Sequence, residues 1–348
     1  MRSLICHFLL YSGAFALWRY LNRNKIIILM LHGVGDESPA SAWVPLWKRH
    51  SEKQLDSAMA ILSKKYNFIS MDDADAMLRG IIPIKPYSIV MTFDDGYRDS
   101  VTRAMPILRK YKAPGIVYLA TDYIEKREPY WIDRIDYALQ KAVADGKTIE
   151  VKGKRIDLKG LSHEESSRVY KDLRLLFKSI KNDYTFKDEV DQLAQYLEAQ
   201  AGCALSDVFE RDEWASLLTW EEVEHYSLAP DLLFGSHTVG HFRIALIDAE
   251  RAERELLESK SVLTEKTGKE CRHFCYPAGS HNASVSRSVA AAGYSSGVTC
   301  DVGLNSVGDN MSELVRYNFT TATNAAQVLA DTSGLYQVVS GWIKRIKK

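Results

Sequence analysis

Apolar residues in this chain fall into short unbroken runs, each closed by a polar turn and followed by an amphipathic stretch. Residues 26–31 (IIILML) end at His32-Gly33, and residues 88–93 (SIVMTF) end at Asp94-Asp95-Gly96. Runs this short and this uniformly apolar predict strands buried in a parallel sheet. Residues 115–120, 232–236, 273–276, 294–299 and 314–319 repeat the pattern. Between the runs, Leu55, Ala58, Met59 and Leu62 share one helical face, opened by Ser51 with Gln54 three residues on, as in a capping box. A further helical stretch covers 103–110. Asp248 caps a charged helix that stops near Gly268, and a helix over 284–292 stops at Gly293. Strands alternating with helices predict an α/β fold with a mostly parallel sheet. Residues 129–212 break the rhythm. They read as charged helices with one short hairpin over 148–157, around Gly153, and so as a mainly helical insertion or lid. The main domain is then 25–128 with 213–348.

Composition narrows the function. The chain has 348 residues, with 45 Lys plus Arg against 45 Asp plus Glu. A net charge of zero argues against a protein built to hold nucleic acid. Five cysteines in this length are too few, and odd in number, for a disulfide scaffold, and they read as plain thiols. Residues 4–18 are apolar and uncharged, shorter than the ~20 residues that span a bilayer, and Arg19, Arg23 and Lys25 follow. An interfacial helix, a signal or anchor segment, and a core helix are all open readings; residues 1–24 are taken as a membrane-associated or signal-like helix. The basic end Lys344-Arg345-Ile346-Lys347-Lys348 would suit an anionic membrane surface. The expected location is at a membrane, on the cytoplasmic face rather than exported.

Two clusters carry the chemistry. Thr92-Phe93-Asp94-Asp95-Gly96 places adjacent carboxylates at one strand end, and Ser236-His237-Thr238-Val239-Gly240-His241 follows another. Ligand sites in parallel α/β folds collect at the carboxyl ends of strands, so both should share one rim. Histidines at i and i+4 lie about 5–6 Å apart on one helical face. Two imidazoles there with one carboxylate form a metal triad with open positions, and the second carboxylate is free to act as a base on water. Successive side chains on a strand point in opposite directions, so only one of Asp94 and Asp95 should face the metal, and this chemistry does not say which.

These segments resemble the first two motifs of the polysaccharide deacetylase family (NodB homology, carbohydrate esterase family 4). Phe274-Cys275-Tyr276-Pro277-Ala278-Gly279 is similar to its third motif, which lines the sugar groove. Leu31-His32-Gly33-Val34-Gly35-Asp36 is similar to its first strand and loop, and Trp131-Ile132-Asp133-Arg134 to a segment of members with a helical insertion. The resemblance covers about residues 26–128 and 213–320. It implies a distorted (β/α) barrel of about seven strands and metal-dependent removal of acetyl groups from N-acetylated sugars of a polysaccharide or glycolipid. Carried over, Asp94 is the base, and Asp95, His237 and His241 hold a divalent metal ion, with Zn2+ the default. Tyr276, Pro277, Gly279 and His281 are the expected substrate-binding residues, with Tyr130 and Trp131 further candidates to stack on sugar.

Two departures stand out. The third motif lacks the family's arginine, and Arg316 is the candidate substitute. No late Leu-x-His histidine is present, so His32 is the first candidate acid and His281 the second. The alternatives are a same-fold hydrolase of another non-peptide C–N bond, or an inactive glycan-binding protein.

Overall fold

The structure, a computed structural model, describes residues 2–35, 43–47 and 49–346. Asp36, Lys347 and Lys348 lie outside the described residues. Among the described residues there are ten strands: β1 (Ile27–Leu31), β2 (Asn67–Phe68), β3 (Ser88–Phe93), β4 (Gly115–Leu119), β5 (Thr148–Val151), β6 (Lys154–Asp157), β7 (Leu232–Ser236), β8 (His273–Cys275), β9 (Ser296–Val298) and β10 (Tyr317–Asn318). Seven of them form a sheet in the order β10-β1-β3-β4-β7-β8-β9, every pairing parallel, with β2 attached to β3. The sheet curls through 244° into an incompletely closed barrel. This is the expected α/β architecture, a distorted (β/α) barrel of seven strands.

Side chains on a strand alternate between faces, and the two faces here enter different cores. Ile28, Val90, Ile116, Tyr118, Cys275 and Val298 form one cluster. Leu29, Leu31, Met91, Phe93, Val117 and Leu119 pack with the surrounding helices, including Leu55, Met59 and Leu256. β1, β3 and β4 are buried at every position, which is why they read as continuous apolar runs. All strands of the sheet point the same way, so His32, Asp94, His237 and Tyr276, each next after its strand, gather on one rim.

Predicted helix ends are realised as hydrogen bonds. Ser51 accepts from the Gln54 N–H in a capping box, and Asp248 accepts from the Arg251 N–H. The predicted strand over 314–319 shrinks to β10, with an isolated bridge from Leu314 to Val298. Residues 148–157 form an antiparallel hairpin whose turn, Lys152-Gly153, has φ of 51° and 74°. The helices Trp131–Ala144, His163–Phe177 and Asp183–Ala201 bury Ile135, Leu139, Tyr170, Leu173, Val190 and Leu197 in a cluster of their own. Among the described residues no single helix is long and apolar enough to cross a membrane; Arg2–Tyr11 and Ala14–Leu21 meet at a 72° bend. All five cysteines are free.

Candidate active site

Asp94 continues the phase of Val90 and Thr92 and points into the barrel. There Arg316 grips it with two hydrogen bonds, 2.7 Å to Oδ1 and 2.8 Å to Oδ2. Both side chains are buried. The guanidinium also donates to the Thr299 carbonyl and the Thr92 hydroxyl, and its second amino group lies 3.2 Å from Cys275 Sγ. Burial by itself would raise the Asp94 carboxyl. Arg316, by charge and by hydrogen bonds, outweighs that and holds it below the usual range, with His237 and His32 adding to the effect.

Asp95 leaves the strand phase because its backbone turns left-handed, with φ 74°, and Gly96 follows at φ 74°. A Cβ on Gly96 would meet Leu119 Cδ2 at 2.8 Å and would strain the left-handed backbone, so glycine suits this position. The turn swings the Asp95 carboxylate onto the rim. His237 Nε2 and His241 Nε2 both lie 3.3 Å from Oδ1, and His32 Nε2 lies 4.0 Å from Oδ2. The Tyr130 hydroxyl holds the Asp95 carbonyl at 2.9 Å. Burial opposes the charge of Asp95, yet the facing imidazoles of His237 and His241, with His32 nearby, keep its carboxyl well below the ordinary range.

The two histidines do not share a helical face, contrary to the expectation from their spacing. Residues 237–243 form a loop in which Thr238 (φ 69°) and His241 (φ 54°) are left-handed, and the imidazole centroids stand 4.9 Å apart. Left-handed non-glycine residues cost roughly 1–3 kcal/mol each and persist where surrounding contacts over-determine them. Those contacts are visible. Val239 and Gly240 N–H both donate to Glu255 Oε2 at 2.8 Å, and Arg251 neutralises the other oxygen at 2.6 Å. Lys187 donates to the Gly240 carbonyl, and Asp183 accepts from the Arg243 N–H and pairs with its guanidinium. Helix Asp183–Ala201 thus braces the loop from one side and Ala249–Thr267 from the other. Sequence reasoning missed Glu255, Lys187 and Asp183. Glu255 had a signal: it lies on the same helical face as Ala252, Leu256, Ser259 and Leu263, all buried, so a carboxylate there needs partners.

The donor set suits a metal. Asp95, His237 and His241 offer ligand atoms within 4.8 Å of one another. His237 Nδ1 meets the Cys275 carbonyl at 2.8 Å; a carbonyl only accepts, so Nδ1 carries the proton and Nε2 keeps its lone pair. Burial pushes the His241 pKa down, against the pull of Asp95, which favours the neutral ligand form. Asp94, His237 and Cys275 form a second close group. Burial holds the Cys275 thiol well above its ordinary pKa and Asp94 is committed to Arg316, so this group is the poorer ligand set.

The third-motif residues need correction. Tyr276 is fully buried with its hydroxyl on the Ser312 carbonyl at 2.7 Å, so it is a core residue and does not stack on sugar. Pro277 is also buried. Gly279, at φ 65°, sits so close that a Cβ would meet Cys300 Cβ at 2.6 Å, so the exposed part of this turn is Ala278. His281 contacts the Gly279 carbonyl (2.9 Å) and Asp301 (3.4 Å). Tyr130 is buried as well, stacked on Tyr123 at 4.2 Å, and Trp131 packs edge-on against Phe186. In the neighbouring segment Asp133 is buried between Arg49 (2.8 Å) and the Tyr97 hydroxyl (2.6 Å). Trp131-Ile132-Asp133-Arg134 therefore ties the inserted helices to the barrel.

The polysaccharide deacetylase family matches this sequence over residues 83–205 and 193–297, more than half of the chain. The chain belongs to the polysaccharide deacetylase family. As a polysaccharide deacetylase it is a hydrolase of non-peptide C–N bonds. Solved structures agree on the fold. The deacetylase PplD of Streptococcus pyogenes, in complex with acetate, is 18% identical with a TM-score of 0.57, over 88% of this chain and 98% of that one. IcaB from Ammonifex degensii is 16% identical (TM-score 0.53), over 89% of this chain and 97% of that one. A polysaccharide deacetylase from Bacillus cereus is 16% identical (TM-score 0.53), over 88% of this chain and 69% of that one. A search of curated proteins found no match. In this deacetylase, then, Asp94, Asp95, His237, His241 and His32 gather on one rim of the barrel, where Asp95, His237 and His241 bring ligand atoms within 4.8 Å of one another.

Proposed function

We propose that this deacetylase is metal-dependent and removes acetyl groups from the N-acetylated sugars of a polysaccharide or glycolipid. The observation that carries the reading is the division of labour between two adjacent carboxylates. Asp95 meets two imidazoles, while Asp94 is held apart by Arg316. A divalent cation held by Asp95, His237 and His241, zinc first given the mixed nitrogen and oxygen donors, would supply Lewis acidity toward the acetyl carbonyl and an acidified water. Asp94, ionised and oriented by Arg316, is placed to accept a proton from the water whose oxygen bonds to the acetyl carbonyl carbon. The C–N bond then breaks, and the departing nitrogen needs a proton. His32, on the same rim and edge-on to Trp47 at 5.5 Å, is the group assigned to give it. Residues 129–212 act in this reading as an insertion that braces the histidine loop.

The test is acetate release. Zinc-loaded protein is expected to free acetate from N-acetylglucosamine oligomers, to stop on chelation and to resume on adding zinc. His32→Ala should keep its metal and lose about 10²–10⁴-fold in kcat. Metal-loaded protein that hydrolyses no acetyl sugar would refute the reaction and favour another C–N substrate.

Glu255 gives a separate expectation. Glu255→Ala leaves two loop N–H groups and Arg251 without a partner. Zinc affinity, read by competition with a chromogenic chelator, should fall about 10–100-fold, as for loss of other outer-shell supports. Glu255→Gln keeps an acceptor oxygen and should recover most of the affinity. Equal affinities for all three proteins would mean the loop holds its shape unaided.

A further inference from the structure

The N-terminal helices carry an apolar face that the fold leaves uncovered. Arg2–Tyr11 is anchored by Cys6 and Leu9, which are buried, with Cys6 against Ala326 and Ala330 of helix Ala325–Thr332. Phe15 anchors Ala14–Leu21. The remaining large side chains point outward: Leu4, Phe8, Tyr11, Leu17, Tyr20 and Leu21 are 54% to 81% exposed. Six large apolar or aromatic side chains within eighteen residues, on two short helices, exceed the scattered exposure usual for a soluble surface.

The two chain segments beside this face carry charge of one sign. Residues 1–35 contain Arg2, Arg19, Arg23 and Lys25 and no acidic residue; residues 332–348 contain Lys344, Arg345, Lys347 and Lys348 and again none. Both segments meet the same helix, since Arg2–Tyr11 and Leu335–Ile346 each pack on Ala325–Thr332. Arg19 lies over the Tyr87 ring at 4.0 Å and Arg23 over Tyr20 at 4.1 Å, and neither meets a carboxylate among the described residues. Aromatic and aliphatic side chains rimmed by cations, Arg2 paired with Asp331 and Arg19 and Arg23 meeting no carboxylate among the described residues, match the chemistry of an interfacial helix on anionic lipid. The 72° bend at Gly13 and the three buried anchors fit helices lying along a surface better than one crossing it.

We infer that helices Arg2–Tyr11 and Ala14–Leu21 dock this protein on an anionic bilayer surface. Helix Arg2–Tyr11 reaches the segment after β10, whereas Ala14–Leu21 lies by the opposite end of the sheet, where Arg19 stacks on Tyr87 just before β3. Arg2 and the Thr320 hydroxyl share Asp331 Oδ2, and Thr320 follows β10 by two residues.

The experiment is co-sedimentation of the full chain with vesicles. The protein should pellet with mixed phosphatidylcholine–phosphatidylglycerol vesicles, bind phosphatidylcholine alone weakly, and leave the pellet in high salt or alkaline carbonate. The variant Leu4→Ser/Phe8→Ser/Leu17→Ser changes exposed positions only. It should keep its melting temperature and lose about a hundredfold in vesicle affinity. Equal binding by variant and wild type, or no preference for anionic vesicles, overturns the inference. Retention through carbonate overturns it in favour of a spanning segment. A wild type that is dimeric and ignores vesicles, beside a monomeric variant, overturns it in favour of a second copy of this chain.

Discussion

Asp95→Asn is expected to give a folded protein that holds no metal and releases no acetate. Asparagine tolerates the left-handed backbone at this position better than alanine does, so the fold survives the change. What disappears is the negative charge that both imidazoles face at 3.3 Å. Two neutral nitrogens and an amide oxygen make a far weaker site for a divalent cation than two nitrogens and a carboxylate. The loss should exceed the about 10–100-fold that removal of an outer-shell support costs. Metal content by elemental analysis and acetate release are read on the same preparation. An Asp95→Asn protein that still carries wild-type metal would move the ion to the neighbouring group of Asp94, His237 and Cys275 and overturn the assignment.

Arg316→Leu should be the most damaging single change to both stability and turnover. The guanidinium and the Asp94 carboxylate are both buried, and removing one member of such a pair leaves an uncompensated charge, at about 3–5 kcal/mol. The pH dependence has a definite sign. With Arg316 present, Asp94 titrates below its unfolded value, so the pair contributes stability above roughly pH 4 and loses it as the pH falls through the folded pKa. Without Arg316, burial is the main influence left on Asp94, and it favours the neutral acid. A protonated Asp94 cannot accept a proton from water. Urea unfolding at neutral pH should show the lost stability, and the acidic limb of the kcat/KM profile should move to higher pH. Arg316→Lys keeps a charge but not the two-pronged geometry, and should recover part of the stability and little of the rate. An unmoved acidic limb in Arg316→Leu would show that Asp94 is not the base.

The same ion pair bears on the inactive-protein alternative. That reading drew on a third motif without its arginine, and Arg316 reaches Asp94 from just before β10, two strands away in the sheet and 222 residues away in sequence. His32 likewise stands at Asp95 although no late Leu-x-His exists. Both facts weaken the case for a binding-only protein.

How much could be read in advance differs by residue. The buried strands were legible because a strand covered on both faces is apolar at every position, and Ser51, Asp248 and Gly268 announce helix ends through local hydrogen bonding and backbone freedom. Asp94, Asp95, His237 and His241 were legible as a group, because a strand direction common to the sheet sends every strand end to one rim. The shape of the histidine loop was not. Spacing of four suggests a helix, but left-handed Thr238 and His241 are held by Glu255, Lys187 and Asp183 from two distant helices. The mistaken groove role of Tyr276 has a similar origin: an aromatic residue in a motif looks available until the Ser312 carbonyl and the surrounding core enclose it.

By itself, then, the sequence determined the parallel α/β barrel, the rim and the residue types that meet there, since local patterns of burial and capping suffice for those. Only the tertiary structure shows how differently the two aspartates are placed, and so gives the physical reason for assigning them separate roles. Asp94 and Asp95 are neighbours of the same chemistry. A single left-handed turn sends one to the imidazoles and leaves the other with Arg316, and the contacts that stabilise that turn come from residues far away in the chain.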